Sequence, residues 1–384
     1  MMSSRKVKMQ MKIPAGCAIA SMRESPMISA RSARQRGMSL VELMIAMLLG
    51  LIVLLAVTQI FVGNRQTFAI TEASSEVQES GRIALQLLSR AVRNADYWGC
   101  LENAAAADNI LNVSTVPGDP YGFERGVTAL RASETDENIQ PGRAVLTLAG
   151  INSSRSASLS DEQTSSTSTF LQAADGVNFS NIFQAGEILV ASNCEFADIF
   201  QADAVTAQRI TIDQTSSFSP GVRTGSLRNS VSNYRNGRVL PLAGERYFVR
   251  QQSDGRSALM FQPLNTRGGN SGSFVNPQEL VSGIEEMAIQ LGIDSNGNGT
   301  IDRWEDLRDA SAANAASHAD DALGLRISLL VSSRTDQVMS APMGFCFPAW
   351  GDCGDDGSDL RLADDRRLYR VYSSSIGIRN RLSD

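Results

Sequence analysis

The chain has 384 residues, 42% of them hydrophobic and 20% charged, enough for one large core or two to three average domains, which excludes a disulfide-stapled miniprotein and whole-chain disorder. A net charge of −6 argues against a generally basic nucleic-acid binder. The single histidine, His318, leaves no Ser-His-Asp triad, Cys-His pair or multi-histidine metal site that does not rest wholly on that residue.

Residues 1–37 form a basic arm, with Arg5, Lys6, Lys8, Lys12, Arg23, Arg31, Arg34 and Arg36 against one acid, Glu24. Met38 to Val62 follows as a run in which Glu42 is the only charge. At roughly 1.5 Å per helical residue it spans a hydrocarbon core of about 30 Å. The positive-inside bias puts the arm in the cytoplasm and the rest of the chain beyond the inner membrane, in the periplasm of a two-membrane bacterium. A cleaved secretory signal fits less well: the apolar run is long and no small-x-small cleavage site follows it. Glu42 costs on the order of 2.5–3.5 kcal/mol to insert, and no basic residue lies within a turn on its C-terminal side, so its partner must come from another chain or a newly created amino terminus.

Arg36-Gly37 followed by Met38-Ser39-Leu40-Val41-Glu42-Leu43-Met44-Ile45-Ala46 resembles the class III signal of type IV pilins and pseudopilins. The resemblance implies cleavage after Gly37 by a prepilin peptidase, methylation of Met38, and pairing of Glu42 with the amine of a neighbouring subunit. Phe is commoner than Met at the position of Met38. The leader is long for this family, and Met22 or Met27 is an alternative start. Losing eight basic side chains and one acidic one with the leader takes the net charge from −6 to −13.

From residue 63 to 95 the apolar pattern becomes one-sided, with Ile70, Ala73, Val77, Ala84, Leu88 and Ala91 at three- and four-residue steps. This predicts a helix with one buried face, weakened by about 1 kcal/mol each at Gly63 and Gly81, which could mark bends. From Asp96 onward the chain reads as strand and loop. The strand-like runs are Ala144–Leu148, Glu187–Ser192, Arg246–Gln251, Ala258–Gln262, Ile284–Ile293, Leu325–Ser332 and Leu368–Ile378, with a hairpin through Asp254-Gly255. Asn152–Thr169 and Asp309–Ala322 read as surface excursions.

Tyr97–Cys100 (YWGC), Phe183–Gln201, Leu325–Ser333 and Tyr369–Arg381 are similar to the blocks of PilW-type minor pilins, in the same order. That resemblance implies an α+β pilin-like fold: a long N-terminal helix, transmembrane in its first half, packed on an antiparallel β-sheet domain (residues 96–384) with long loops. It favours a minor pilin over a GspJ-like pseudopilin of type II secretion. Implied partners are other minor pilins, the major pilin, a PilY-type tip adhesin that binds calcium, the prepilin peptidase and the inner-membrane assembly platform. The implied role is priming of pilus assembly, at or near the tip.

Cys17 lies in the leader, leaving Cys100, Cys194, Cys346 and Cys353 in the exported part. An oxidising periplasm favours two disulfides, with three connectivities. Cys346 and Cys353 enclose a short loop, and pairing them leaves Cys100 to tie the helix end to Cys194. Asp294 to Glu305 fits the calcium-loop pattern, with Asp294, Asn296, Asn298, Thr300, Asp302 and Glu305 as oxygen ligands and Gly299 for the turn. The competing reading is an Asn/Gly turn that binds nothing. The acidic loop with Asp352, Asp355, Asp356 and Asp359 reads as a solvated surface.

Two other functions compete with a structural pilin. One is a ligand-binding pilin, a calcium-tuned adhesin or a DNA-uptake subunit; the acidic composition speaks against DNA unless basic side chains such as Arg235, Arg238, Arg246 and Arg250 cluster on one face. An enzyme finds no support: there is no P-loop, G-x-S-x-G or zinc-ligand spacing.

Overall fold

The computed structural model describes residues 38–99, 101, 107–112, 126–132, 139–253, 255–268, 273–309, 321–354 and 357–382. The chain divides into two units, Met1–Phe61 and Val62–Asp384. The long helix α1 (Leu40–Asn94) belongs to both, and its two parts are taken separately.

In the first unit the helix is apolar on every side, and Leu40 to Phe61 is exposed all round. Such a surface cannot stand in water, and a helix of this length and composition is able to cross a membrane. Ser39 starts the helix: its Oγ accepts from the Glu42 N–H at 3.1 Å, the N-cap geometry expected of serine.

In the second unit the helix buries one stripe, Ala73, Val77, Gly81, Ala84, Leu88 and Val92, at steps of four and three. Ile70 and Ala91, expected in that stripe, are half-buried at its margins, and Val92 and Gly81 take their share of the contact. Burying Val77, Leu88 and Val92 is worth about 1.5–3 kcal/mol each.

The strands that organise this unit are β1 (Ala144–Ile151), β2 (Ile188–Ser192), β3 (Ala197–Gln201), β4 (Arg238–Gln251), β5 (Ser257–Asn265), β6 (Ile284–Ile293), β7 (Arg303–Asp306), β8 (Ala322–Ser332) and β9 (Tyr369–Gly377). The larger sheet is ten-stranded among the described residues, and its path includes β3-β2-β4-β5. A second, four-stranded sheet has the order β7-β6-β8-β9 and is antiparallel throughout, with Leu291 opposite Leu325 and Leu325 opposite Ile376.

β4 is much longer than the run predicted at 246–251. It pairs with β2 through Arg238–Pro241 and with β1 through Leu242–Phe248. Pro241, which has no N–H to give a ladder, stands where one partner hands over to the other. The strand therefore serves two cores. Val239, Leu240 and Leu242 join one with Phe179, Phe200 and Tyr234. Tyr247 and Val249 join the other, which holds the helix stripe and the β6, β8 and β9 side chains.

β4 and β5 form the expected hairpin, with Tyr247 opposite Phe261 and Gln251 opposite Ser257. Gly255 takes φ +78° in its turn; Asp254 lies outside the described residues. The segment 152–169 is not wholly a surface excursion. Ala157 and Leu159 are buried in the first core, because a short bridge returns Ala157 to Val239. Residues 310–320 of the other excursion, with His318, lie outside the described residues.

Candidate functional site: the amino-terminal assembly helix

Met38 is exposed at the start of the described chain, and Gly37 lies outside it. Glu42 occupies the third helical position after the Ser39 cap. Ser-x-x-Glu is the sequence of a capping box, and a carboxylate in a helix's first turn is favoured by the helix dipole. Glu42 thus has a local physical reason to be where it is, in addition to the intersubunit one expected from sequence. Its carboxylate is exposed, on a surface otherwise built from Leu43, Met44, Ile45 and the apolar side chains that follow.

Cys346 and Cys353 form a disulfide with Cα atoms 5.7 Å apart. Cys194 is disulfide-bonded as well; its expected partner, Cys100, lies outside the described residues, as does Cys17. The loop closed by Cys346 and Cys353 is braced from inside. Asp359, expected on a solvated surface, is buried: it accepts from Arg308 Nη1 at 2.6 Å and from the Asp352 N–H at 2.9 Å. Arg308 also holds Asp306 at 2.9 Å, and Trp350 Nε1 donates to Asp306 at 2.7 Å. The Arg308 guanidinium, shared between Asp306 and Asp359, offsets the cost of taking the Asp359 carboxylate out of water. Asp355 and Asp356 lie outside the described residues.

The Asp294–Glu305 segment links β6 to β7 as a tight turn. Asp294 accepts four backbone N–H groups, from Asn296 at 3.3 Å, Gly297 at 2.8 Å, Asn298 at 3.2 Å and Gly299 at 2.7 Å. Burial pushes its carboxyl upward, but these four donors outweigh it and hold the group below the usual carboxylate range. Gly297 and Gly299 take φ +72° and +79°, conformations a side chain would strain. Asp302 accepts from the Ser295 N–H at 2.8 Å and from Asn296 Nδ2 at 3.1 Å, and Asn298 accepts from Thr300. Glu305 sits in β7 beside Arg303, 3.8 Å away. Side-chain oxygens of Asp294, Asn296, Asn298 and Asp302 thus accept from donors within the loop.

Arg235, Arg238, Arg246 and Arg250 do not gather. Arg238 and Arg250 alone are separated by about 40 Å along β4. Arg246 bonds Gln262 at 2.6 Å and stacks over Phe274.

The prokaryotic N-terminal methylation motif matches residues 32–58, which straddle Gly37 and Glu42. The type IV pilus-assembly protein W family, PilW, matches residues 246–380. Over this segment the chain matches the PilW family. It is a type IV pilus-related pilin, anchored in a membrane and associated with other pilus components. Comparison with curated proteins and with solved structures gives no match. The PilW match begins within β4 and runs through β9, so it covers β5 to β9, the Asp294–Glu305 turn and the Cys346–Cys353 loop.

One constellation of this chain went unread in the sequence. Just past α1, Asp96 adopts φ +59° and its carboxylate accepts from Trp98 Nε1 at 2.7 Å and from Arg381 Nε. Arg381 also donates to the Ala322 carbonyl at 3.0 Å, and Asn380 Nδ2 donates to the Ala95 carbonyl at 2.7 Å. The helix end, β8 and the C-terminal segment are thereby tied at one point. The only signal was the presence of Trp98 and Arg381 in blocks that share a family pattern; nothing local to either predicts that they meet.

Proposed function

We propose that this chain is a minor pilin that enters a type IV pilus through its N-terminal helix, primes assembly and stands at or near the tip. The observation that carries the reading is Glu42, a carboxylate exposed on an apolar helical surface. In lipid it needs a counter-charge, and the amine of Met38 on a neighbouring subunit, freed by cleavage after Gly37, supplies one. The same reading implies partners: other minor pilins, the major pilin, a PilY-type adhesin and the assembly platform. It also puts the β-rich unit in the periplasm before assembly. Of the alternatives, a GspJ-like pseudopilin would use Glu42 in the same way and is disfavoured by the PilW match, and the arginines considered for a DNA-uptake subunit, Arg235, Arg238, Arg246 and Arg250, are spread along β4 and beyond.

Glu42→Gln separates the two roles of the residue. Glutamine keeps the capping box and removes the charge. In cells, Glu42→Gln, Glu42→Ala and Glu42→Leu are all expected to insert and be cleaved normally yet to fall out of sheared pili. Normal incorporation of Glu42→Gln would reduce Glu42 to a helix cap and overturn the pairing role. Gly37→Ala is expected to leave an uncleaved precursor, and mass spectrometry of the wild-type terminus should find methylated Met38.

A further inference from the structure

β9 is the last strand of its sheet. It pairs with β8 from Tyr369 to Gly377 and with no other strand among the described residues. It also runs alongside α1 in the same direction. Arg370 Nη2 lies 3.4 Å from Ser74 Oγ, the Tyr372 ring lies against Gly81, and Asn380 bonds the Ala95 carbonyl. Ser74 to Ala95 rises about 32 Å as helix, and Arg370 to Asn380 spans about 33 Å extended, so the two elements keep pace along their length.

An open groove of about 730 Å³ follows this seam, lined by Arg82, Arg90 and Arg93 of α1, Tyr372 and Ser374 of β9, and Arg379. None of these four arginines is ion-paired with a carboxylate among the described residues; Arg82 reaches only Gln86, at 3.5 Å. The acids Glu72, Glu76 and Glu79 lie on the other flank of the helix, beside Leu280 and Arg334. An acidic chain thus concentrates unpaired positive charge next to an unpaired sheet edge. The edge carries Val371, Tyr372, Ser373, Ser374 and Ser375, with neither the proline nor the lysine that commonly blunts such strands.

We propose that this groove receives an extended acidic segment of a partner protein, which adds as a strand beside β9 and sets its carboxylates against Arg82, Arg90 and Arg93. The backbone edge supplies main-chain hydrogen bonds and so selects peptide over nucleic acid, while guanidinium groups bind carboxylates through paired, charge-assisted bonds. The spacing fits. Arg82 and Arg90 are about 12 Å apart along the helix, and same-side residues four positions apart in a strand are about 13 Å apart. The inference goes beyond the assembly role of Glu42, and its test reads the groove alone.

The probe is a labelled synthetic peptide alternating valine and threonine, with two glutamates four positions apart. It is titrated into the full chain in detergent micelles and followed by fluorescence anisotropy. We expect saturable binding that weakens with salt and drops at least tenfold in the exposed-residue variant Arg90→Glu/Arg93→Glu. A peptide with glutamine for glutamate should bind at least tenfold more weakly, and N-methylation of the amides along one edge should abolish binding while the other edge tolerates it. Absence of binding, equal binding of the glutamine peptide, or indifference to N-methylation on both edges would each overturn the proposal. So would a single-stranded oligonucleotide that displaces the peptide and binds more tightly through the same arginines.

Discussion

The Tyr372 ring occupies the space that a side chain at Gly81 would need. A Cβ added there would come 2.5 Å from Tyr372 Cδ2 and 2.8 Å from Cγ, close to the root of a side chain that cannot swing clear without leaving the helix-sheet seam. Gly81 lies in the buried stripe of α1, and Tyr372 packs on the same core from β9. In an exposed helix, Gly81→Ala would stabilise by about 1 kcal/mol. Here we expect it to destabilise the full chain by about 1–3 kcal/mol through overpacking. Adding Tyr372→Ala should recover much of that loss. Urea unfolding of the three variants in detergent is the measurement, and a stabilised single variant would show that the ring yields freely.

That position shows what the sequence holds and what it does not. The run Ile284–Ile293 appears as β6 with the same ends because Met287, Ile289, Leu291 and Ile293 recur at every second position, the period of a strand and not of a helix. Gly81 reads from sequence as a weak point in a helix, since its reason lies on a strand near the other end of the chain. β4 was legible only in its last six residues; Pro241 and Gly244 disfavour strand locally, and only the change of pairing partner makes Pro241 harmless. Asp359 looked solvated because its neighbours are acidic, and the arginine that buries it, Arg308, comes from beyond β7. The membrane-length helix and Glu42 were plain in the sequence, but the Ser39 cap gives Glu42 a second role that the charge pattern alone concealed.

Glu187 is fully buried, and its carboxylate is held by Arg155 at 2.6 Å, Arg267 at 3.5 Å and the Gln184 N–H at 3.2 Å. Arg267 is half exposed, so Arg155 supplies most of the compensation. We expect Arg155→Ala to destabilise the chain by about 3 kcal/mol, because it leaves a desolvated carboxylate short of its main partner. Replacing both members, Arg155→Met with Glu187→Leu, should cost less than the single change. The comparison is read from denaturant midpoints, and additive losses would argue against a buried pair.

Arg308 joins Asp306 to Asp359 and so clamps the Cys346–Cys353 loop to the end of the β6-β7 hairpin. Arg308→Met should release this loop locally while the disulfide stays intact. Amide exchange at Phe347, Gly351 and Asp359, whose backbone groups bond within the loop, is expected to rise at least tenfold. Exchange in β8 should stay unchanged. Uniform protection of the loop in the variant would mean that the disulfide alone maintains its shape.

Asp198 on β3 titrates in the opposite sense from the arginine-held acids. Burial pushes it up to about 6, against hydrogen bonds from the Tyr234 hydroxyl at 2.8 Å and the Asn229 N–H at 3.1 Å, and its Oδ1 is buried with no hydrogen-bond partner. Between the ordinary value of 3.8 and about 6, the folded chain holds a proton that the unfolded chain has released. Stability from this group is therefore complete below the unfolded value and falls as pH rises through that window, by up to about 3 kcal/mol. Asp306 and Asp359, which Arg308 holds below the usual range, lose their contribution in the other direction, as pH falls through their depressed values. Those acids are shared with Asp198→Asn and cancel when the two proteins are compared. The stability of Asp198→Asn relative to wild type should thus climb by about 2 kcal/mol from pH 4 to pH 6.5 and then level off. A difference that stays flat across that range would mean that Asp198 is ionised in the folded chain throughout, with solvent reaching Oδ1.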